Sequence, residues 1–160
     1  MTSGTSDRTF VDTNVLIYAH DVDAGRKHEV AKHLLRTLWD ERAGILSTQV
    51  LQEFYVNATR KIRKPLSKPE ARSVVDTYAP WCVEGITTGD IIAGFQIEDQ
   101  ARIGFWDALI LAVAARSGAR RVVSEDLNNG QSIAGISIHN PFKGLSRSRD
   151  VEHPTRAQRL

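Results

Sequence analysis

Short unbroken apolar runs alternate along the chain with longer stretches in which apolar residues return every three or four positions, so it reads as strands interleaved with helices. Residues 8–12, RTFVD, form a short strand ending in a carboxylate, and TNVLIYAH (13–20) supplies a helical turn or two behind it. Across 26–41, Val30, Leu34, Leu35, Leu38 and Trp39 mark an amphipathic helix, with Gly44 as its breaker. GILS (44–47) is a second strand, and 47–64 a helix striped by Val50, Leu51, Phe54, Ala58 and Ile62 and ended by Pro65.

Ser67 and Glu70 form a capping box, with Pro69 in the first turn, for a short helix that Pro80 closes. Trp81, Cys82 and Val83 fit an edge strand, after which Thr87 or Thr88 caps a helix through Ile91, Ile92, Phe95 and Ala101. Beyond Gly104, FWDALILAVAARSGA is apolar nearly all round, the mark of a buried helix, with a glycine stop at Gly118. RRVVS follows as a strand, and ISIHNPF contains the last one. This alternation predicts an α/β fold whose largely parallel sheet is covered by helices on both faces, with ligands binding at the carboxyl ends of the strands.

Composition adds little to that picture and removes several classes. At 160 residues, 41% apolar and 25% charged, the chain suits one domain able to bury a core without staples. Cys82 is the single cysteine, so no intramolecular disulfide framework exists, and its simplest role is that of a small buried hydrophobe. The opening MTSGTSDRT lacks the marks of a signal peptide and no run approaches about 18 apolar residues, so a soluble, cytoplasmic protein with no membrane contact is expected. Five of the 21 Lys and Arg residues lie from Lys143 onward against Asp150 and Glu152, leaving 16 basic and 17 acidic residues in the body. The expected organisation is a short leader at 1–7, a near-neutral domain at 8–142 and a flexible basic tail at 143–160.

Four acids stand out by position. Asp12 and Asp126 follow strands and should emerge at one carboxyl edge of a parallel sheet. Glu53 lies one to two turns into the helix leaving GILS, and Asp107 near the start of the buried helix, so both could face that edge. Carboxylates gathered so closely repel and take up protons unless a hard divalent cation neutralises them, and an all-oxygen set favours Mg²⁺ or Mn²⁺ over zinc. Such ions bind phosphate oxygens and lower the pKa of a bound water, which is the chemistry of phosphodiester cleavage. Simpler roles fit each acid alone. Asp12 could cap the following helix, Asp107 could cap its own with Trp106 stapled onto Leu111, Glu53 could face solvent and Asp126 could serve a turn.

Taken in order, VDTNVLIYA (11–19), STQVLQEFY (47–55), FWDALILAVA (105–114) and VVSEDLNNGQ (122–131) resemble the four acidic motifs of the PIN domain, most nearly those of VapC-like toxin ribonucleases of type II toxin–antitoxin systems. The resemblance covers about residues 8–142, and ISIHNPF is similar to the family's closing strand. It implies a three-layer α/β/α sandwich with a central, mainly parallel sheet. It also implies an Mg²⁺-dependent endoribonuclease in which Asp12, Glu53, Asp107 and Asp126 hold the metal and are catalytic, supported by Asn14 and Ser124. The activity so implied is attack of a metal-activated water on RNA, leaving a 5′-phosphate and a 3′-hydroxyl, by a homodimer silenced by a VapB-like antitoxin.

The basic cluster Arg60, Lys61, Arg63 and Lys64, with Lys68, is a candidate contact for RNA phosphates or an acidic partner, or else a solvated helix end. Glu98 and Asp99 are extra acids, read as a solvated face or as a further outer ligand. Among rival classes, a haloacid-dehalogenase-like phosphatase needs an Asp where Asn14 stands, and nucleotide-binding loops need glycines that TNVLIYA lacks. The five histidines make no pair at i and i+4, which removes a zinc-protease site. A non-catalytic module of the same fold that binds RNA or a partner stays open, as does a DNA-directed nuclease.

Overall fold

A computed structural model describes residues 7–83 and 85–145. The leader up to Ser6 and the tail from 146 therefore fall outside the described residues; Leu145 still packs on the core.

Strand β1 (Thr9–Val11) leads into α1 (Thr13–His20), and a short 3-10 turn (Val22–Ala24) precedes α2 (Arg26–Glu41). Next come β2 (Gly44–Ser47), α3 (Thr48–Arg60), α4 (Lys68–Tyr78), a 3-10 turn (Ala79–Trp81) and β3 (Cys82–Val83). The chain continues through α5 (Thr88–Ala101), α6 (Phe105–Arg116), β4 (Arg121–Val123), β5 (Ser132–Ile133) and β6 (Ile136–His139). The sheet runs β3-β2-β1-β4-β6-β5, parallel throughout except for β5, which pairs antiparallel with β6.

This order accounts for the layers. The chain steps outward from β1 to β2 to β3 through α1 to α4, then returns to the far side of β1 through α5 and α6 to reach β4. Right-handed crossovers in opposite directions put the two helix groups on opposite faces. In agreement, α1 packs on α2 and α3, α3 packs on α4, and α5 packs on α6. The sheet contributes Phe10, Val11, Ile45, Leu46, Val122, Val123, Ile136 and Ile138 to the core, all buried. Helix α6 is buried continuously from Ala108 to Ala114, as its all-round apolar sequence predicts.

Several details depart from the sequence reading. Helix α2 is closed by Arg42 in the left-handed conformation (φ 54°), and Gly44 is already in β2, where a Cβ would lie 2.5 Å from the Trp81 ring. Helix α3 stops at Arg60, well short of Pro65, and the Leu66 N–H returns to the Ala58 carbonyl at 2.9 Å. On α5 the buried residues are Asp90, Gly94 and Ile97, whereas Ile92 and Phe95 are exposed, because the face that carries Gly94 is the one turned to Phe105 and Leu109 of α6. Asp107 is not a helix cap: Gly104 occupies that position, and Trp106, 66% exposed, does not act as a staple. Strand β5 carried no sequence signal at two residues long; it forms a tight hairpin through Ala134 and Gly135, both at positive φ.

Candidate active site

Sheet register creates the site. Val11 lies opposite Val123, so Asp12 and Ser124, one step on, leave the sheet side by side, and the Asp12 N–H extends the pairing to the Val123 carbonyl at 3.1 Å. Asp12 is both helix cap and buried acid: its Oδ1 accepts the Thr13 N–H at 2.7 Å, and its Oδ2 accepts the Ser124 hydroxyl at 2.7 Å. Capping and metal binding are compatible, because each carboxylate oxygen has more than one lone pair.

Asn14 ties the two strand-end acids together. Its Nδ2 donates to Asp126 Oδ2 at 3.1 Å and more weakly to Asp12 Oδ2 at 3.5 Å, while its Oδ1 accepts the Glu125 N–H at 3.1 Å. Ser124 Oγ accepts the Asp126 N–H at 3.1 Å, so one hydroxyl orients both acids. On the β2 side, Glu53 is fixed by the Thr13 hydroxyl at 2.7 Å and by the Gln49 amide at 3.2 Å. Asp107 enters from the first turn of α6.

Charge coupling links these acids. Burial raises Asp12 to about 6; the Ser124 and Thr13 hydrogen bonds oppose the shift, and the charges of Asp126 and Asp107 add to it. Asp107 is also raised, first by burial and then by Asp126 and Glu53. The four acids expected from sequence are therefore linked by charge near the carboxyl edge of the sheet, Asp12 with Asp126 and Asp107, and Asp107 with Asp126 and Glu53. The basic cluster does not join them: Arg60 ends α3 nearly two turns beyond Glu53, Lys61, Arg63 and Lys64 follow it, and Lys64 pairs with Asp23 at 3.6 Å. Asp99 faces solvent and Glu98 is half-buried on the last turn of α5.

Sequence reasoning missed three supports. Gln49 was within reach of it, being four residues before Glu53 on one helix face. Thr13 was not, since its partner is 40 positions away. Nor was the brace on Glu125, whose carboxylate accepts the Tyr18 hydroxyl at 3.0 Å and pairs with Lys27 at 2.8 Å. That brace pins the loop carrying Ser124 and Asp126 to α1 and α2.

Among the described residues, no three His, Cys, Asp or Glu side chains are already gathered as a set that would hold a metal ion. The donor chemistry nevertheless fits one. The charged groups of the site are all carboxylates, beside neutral hydroxyl and amide oxygens, and the raised Asp12 and Asp107 mark negative charge in a poorly hydrated place, which a hard divalent cation relieves.

The family model of the PIN domain matches residues 9–130, which include all four acids. The chain belongs to the PIN domain family. Its fold is also that of solved toxin–antitoxin structures. A toxin–antitoxin complex from Klebsiella pneumoniae matches with a TM-score of 0.61 at 20% identity, covering 83% of this chain and 97% of that one. VapBC from Salmonella typhimurium, bound to DNA, gives 0.59 at 22% identity over 85% and 99%. Mycobacterium tuberculosis VapC20, described as a Sarcin-Ricin loop cleaving toxin, gives 0.53 at 21% over 71% and 86%. No curated protein matches the sequence. In this PIN domain no described helix is long and apolar enough to cross a membrane.

Proposed function

We propose that this PIN domain is a metal-dependent endoribonuclease, the toxin of a VapBC-like pair, acting in the cytoplasm. What supports the reading is the hydrogen-bonded network that joins Asp12, Ser124, Asn14 and Asp126, with Glu53 held by Thr13, and the charge coupling of these acids with Asp107, which together with burial holds Asp12 and Asp107 above the usual carboxylate range. These four acids would hold Mg²⁺, with Mn²⁺ as an alternative. The bound ion would neutralise charge on the phosphodiester and lower the pKa of a water for attack, with products ending in a 5′-phosphate and a 3′-hydroxyl.

The protein's own contribution is positioning. Ser124 and Asn14 set the spacing of Asp12 and Asp126, while Thr13 and Gln49 aim Glu53. Asp12, Glu53 and Asp126 are thereby oriented before substrate arrives, which removes reorganisation from the reaction. RNA is favoured over DNA as substrate because VapC20 is described as cleaving the Sarcin-Ricin loop. A VapB-like antitoxin is the proposed partner, since the Klebsiella and Salmonella neighbours are toxin–antitoxin complexes. The proposed assembly is a homodimer. Arg60, Lys61, Arg63 and Lys64, lying off the cleft, would contact a remote stretch of RNA.

The deciding experiment is cleavage of total RNA by the purified chain with Mg²⁺, with EDTA, and with Asp107→Asn, mapping fragment ends. Discrete cuts lost in both controls are expected. Intact RNA despite bound metal, from protein free of antitoxin, would instead favour a module of this fold that only binds.

A further inference from the structure

Asp126 is the acid that regular structure holds least. It lies beyond the end of β4 at Val123, in a stretch without helix or strand that lasts until β5 begins at Ser132. Its N–H donates to the Ser124 hydroxyl, and the N–H before it, of Glu125, donates to Asn14. The Glu125 side chain reaches the helices instead: one carboxylate oxygen accepts the Tyr18 hydroxyl at 3.0 Å, and the other pairs with the Lys27 ammonium at 2.8 Å. Lys27 stands where its own helix does not favour it. It is the second residue of α2, and a cation in a first turn meets the positive end of the helix dipole. What holds it there is a box made by Glu125, the Tyr18 ring at 5.0 Å and the Phe142 ring at 5.9 Å, the two rings meeting edge to face at 5.1 Å. Side-chain exposures of 30% for Lys27 and 21% for Glu125 shield the pair from water more than a surface ion pair is shielded. The His28 Nδ1 lies 2.9 Å from the Tyr18 carbonyl, so Tyr18 and Lys27 are held as one unit.

We propose that Tyr18 and Lys27 are positioning residues for the metal site, acting through Glu125 to hold the loop from which Asp126 binds the divalent cation with Asp12. The inference rests on the metal-site reading and extends it to two residues that are not ligands. Asp12 and Asp126 repel each other without the ion, and a loop free to move would relax by carrying Asp126 away. A loop tethered to α1 and α2 loses less freedom when the ion binds, so the affinity of the site depends on the tether. Lys27 could instead act on the ion only as a charge at a distance, and the two roles give opposite signs. Removing a cation would tighten metal binding through charge alone, whereas loss of the tether weakens it.

The test uses the full chain freed of metal and titrated with Mn²⁺ at neutral pH, the free ion being read by electron paramagnetic resonance. Lys27→Met should bind about tenfold more weakly, the lower end of the loss expected when a group behind a ligand is removed. Tyr18→Phe, which removes one oxygen and no charge, should bind about threefold more weakly. Lys27→Arg should keep most of the affinity, because a guanidinium also pairs with a carboxylate and stacks on rings. Amide exchange in the metal-free protein gives a second readout: the Glu125 and Asp126 N–H groups should exchange faster in Lys27→Met and Tyr18→Phe, while those of Val122 and Val123 stay protected. Unchanged affinity in both variants, tighter binding by Lys27→Met, or exchange that rises equally through β4 overturns the positioning role. No Mn²⁺ binding by wild type overturns it together with the metal site. RNA cleavage is scored separately: a wild type that binds Mn²⁺ more tightly than the variants yet leaves RNA intact overturns the nuclease reading and leaves the positioning role standing.

Discussion

The two ends of α1 carry titratable groups, buried Asp12 and half-buried His20, that folding drives in opposite directions. At its start, burial raises Asp12 to about 6, with Asp126 and Asp107 adding to the shift. At its last residue, burial lowers His20 to about 4, with His28 adding to it. Both groups are pushed toward neutrality, yet their surroundings differ. Asp12 is held by the Thr13 N–H and the Ser124 hydroxyl and faces other acids. The His20 ring lies against Phe54 and Tyr78, at 5.7 and 6.0 Å, and its buried Nε2 has no hydrogen-bond partner among the described residues. A groove of about 610 Å³ opens beside His20, lined also by His28, Arg36, Trp39 and Tyr78, and it gathers no carboxylate cluster. A perturbed group or a concavity therefore does not by itself mark the reactive end. The proposed reactive end is distinguished instead by like charges coupled under fixed hydrogen-bond donors.

The strongest break of this comparison is Asp12→Asn, which keeps the cap and removes the charge. Cleavage should fall to background, while stability in EDTA at neutral pH rises by up to about 3 kcal/mol, the free energy of a shift of roughly two pH units. Chemical denaturation read beside the RNA assay checks both; a destabilised variant would make Asp12 mainly structural.

The pH dependence of metal-free stability sharpens the contrast. Asp12, raised above its model value of 3.8, costs stability as pH climbs from 3.8 toward about 6. His20, lowered from 6.5, contributes stability that is full above 6.5 and is lost as pH falls toward about 4. Between about 4 and 6 the two slopes oppose each other. Denaturant midpoints across that window should rise with pH in Asp12→Asn and fall with pH in His20→Phe, each by about 2–3 kcal/mol before other groups are counted. Parallel profiles in the two variants would refute the opposition.

Ser124→Ala is the intermediate case. Without the hydroxyl that holds it down, Asp12 should titrate at higher pH, so Mg²⁺ affinity measured by calorimetry near pH 6 falls by about tenfold and recovers as pH rises. A loss that is the same at every pH would show that only geometry had changed. The smallest effect belongs to His20→Phe on cleavage: rates near pH 7 should stay within about twofold of wild type, and a larger loss would tie this end of α1 to the chemistry.

Local chemistry was readable along the chain where a single element decides the outcome. The bounds of α2 and β2 follow from the apolar spacing and the flanking residues, and the Ser67–Glu70 capping box forms as its spacing predicts. Readability failed where a neighbour from elsewhere intervenes. Gly44 looked like a helix breaker, but its role depends on Trp81 crossing the start of β2. The apolar residues of α5 suggested a buried stripe through Ile92 and Phe95, whereas contact with α6 is made at Gly94. Asp107 and Trp106 fitted a cap with its staple, until Gly104 took the cap and left the indole outside.

The sequence alone determined the alternation of elements, the parallel α/β class and where the four acids stand on those elements, because each depends on periodicity or on residues close in the chain. Only the tertiary structure decided that the acids meet. Asp12 reaches Ser124 across 112 positions through the β1–β4 register, and Glu53 is aimed by Thr13 from another helix. It also decided the electrostatics. A carboxylate's pKa depends on the water removed from it and on the charges beside it, and both are products of packing that no local pattern specifies.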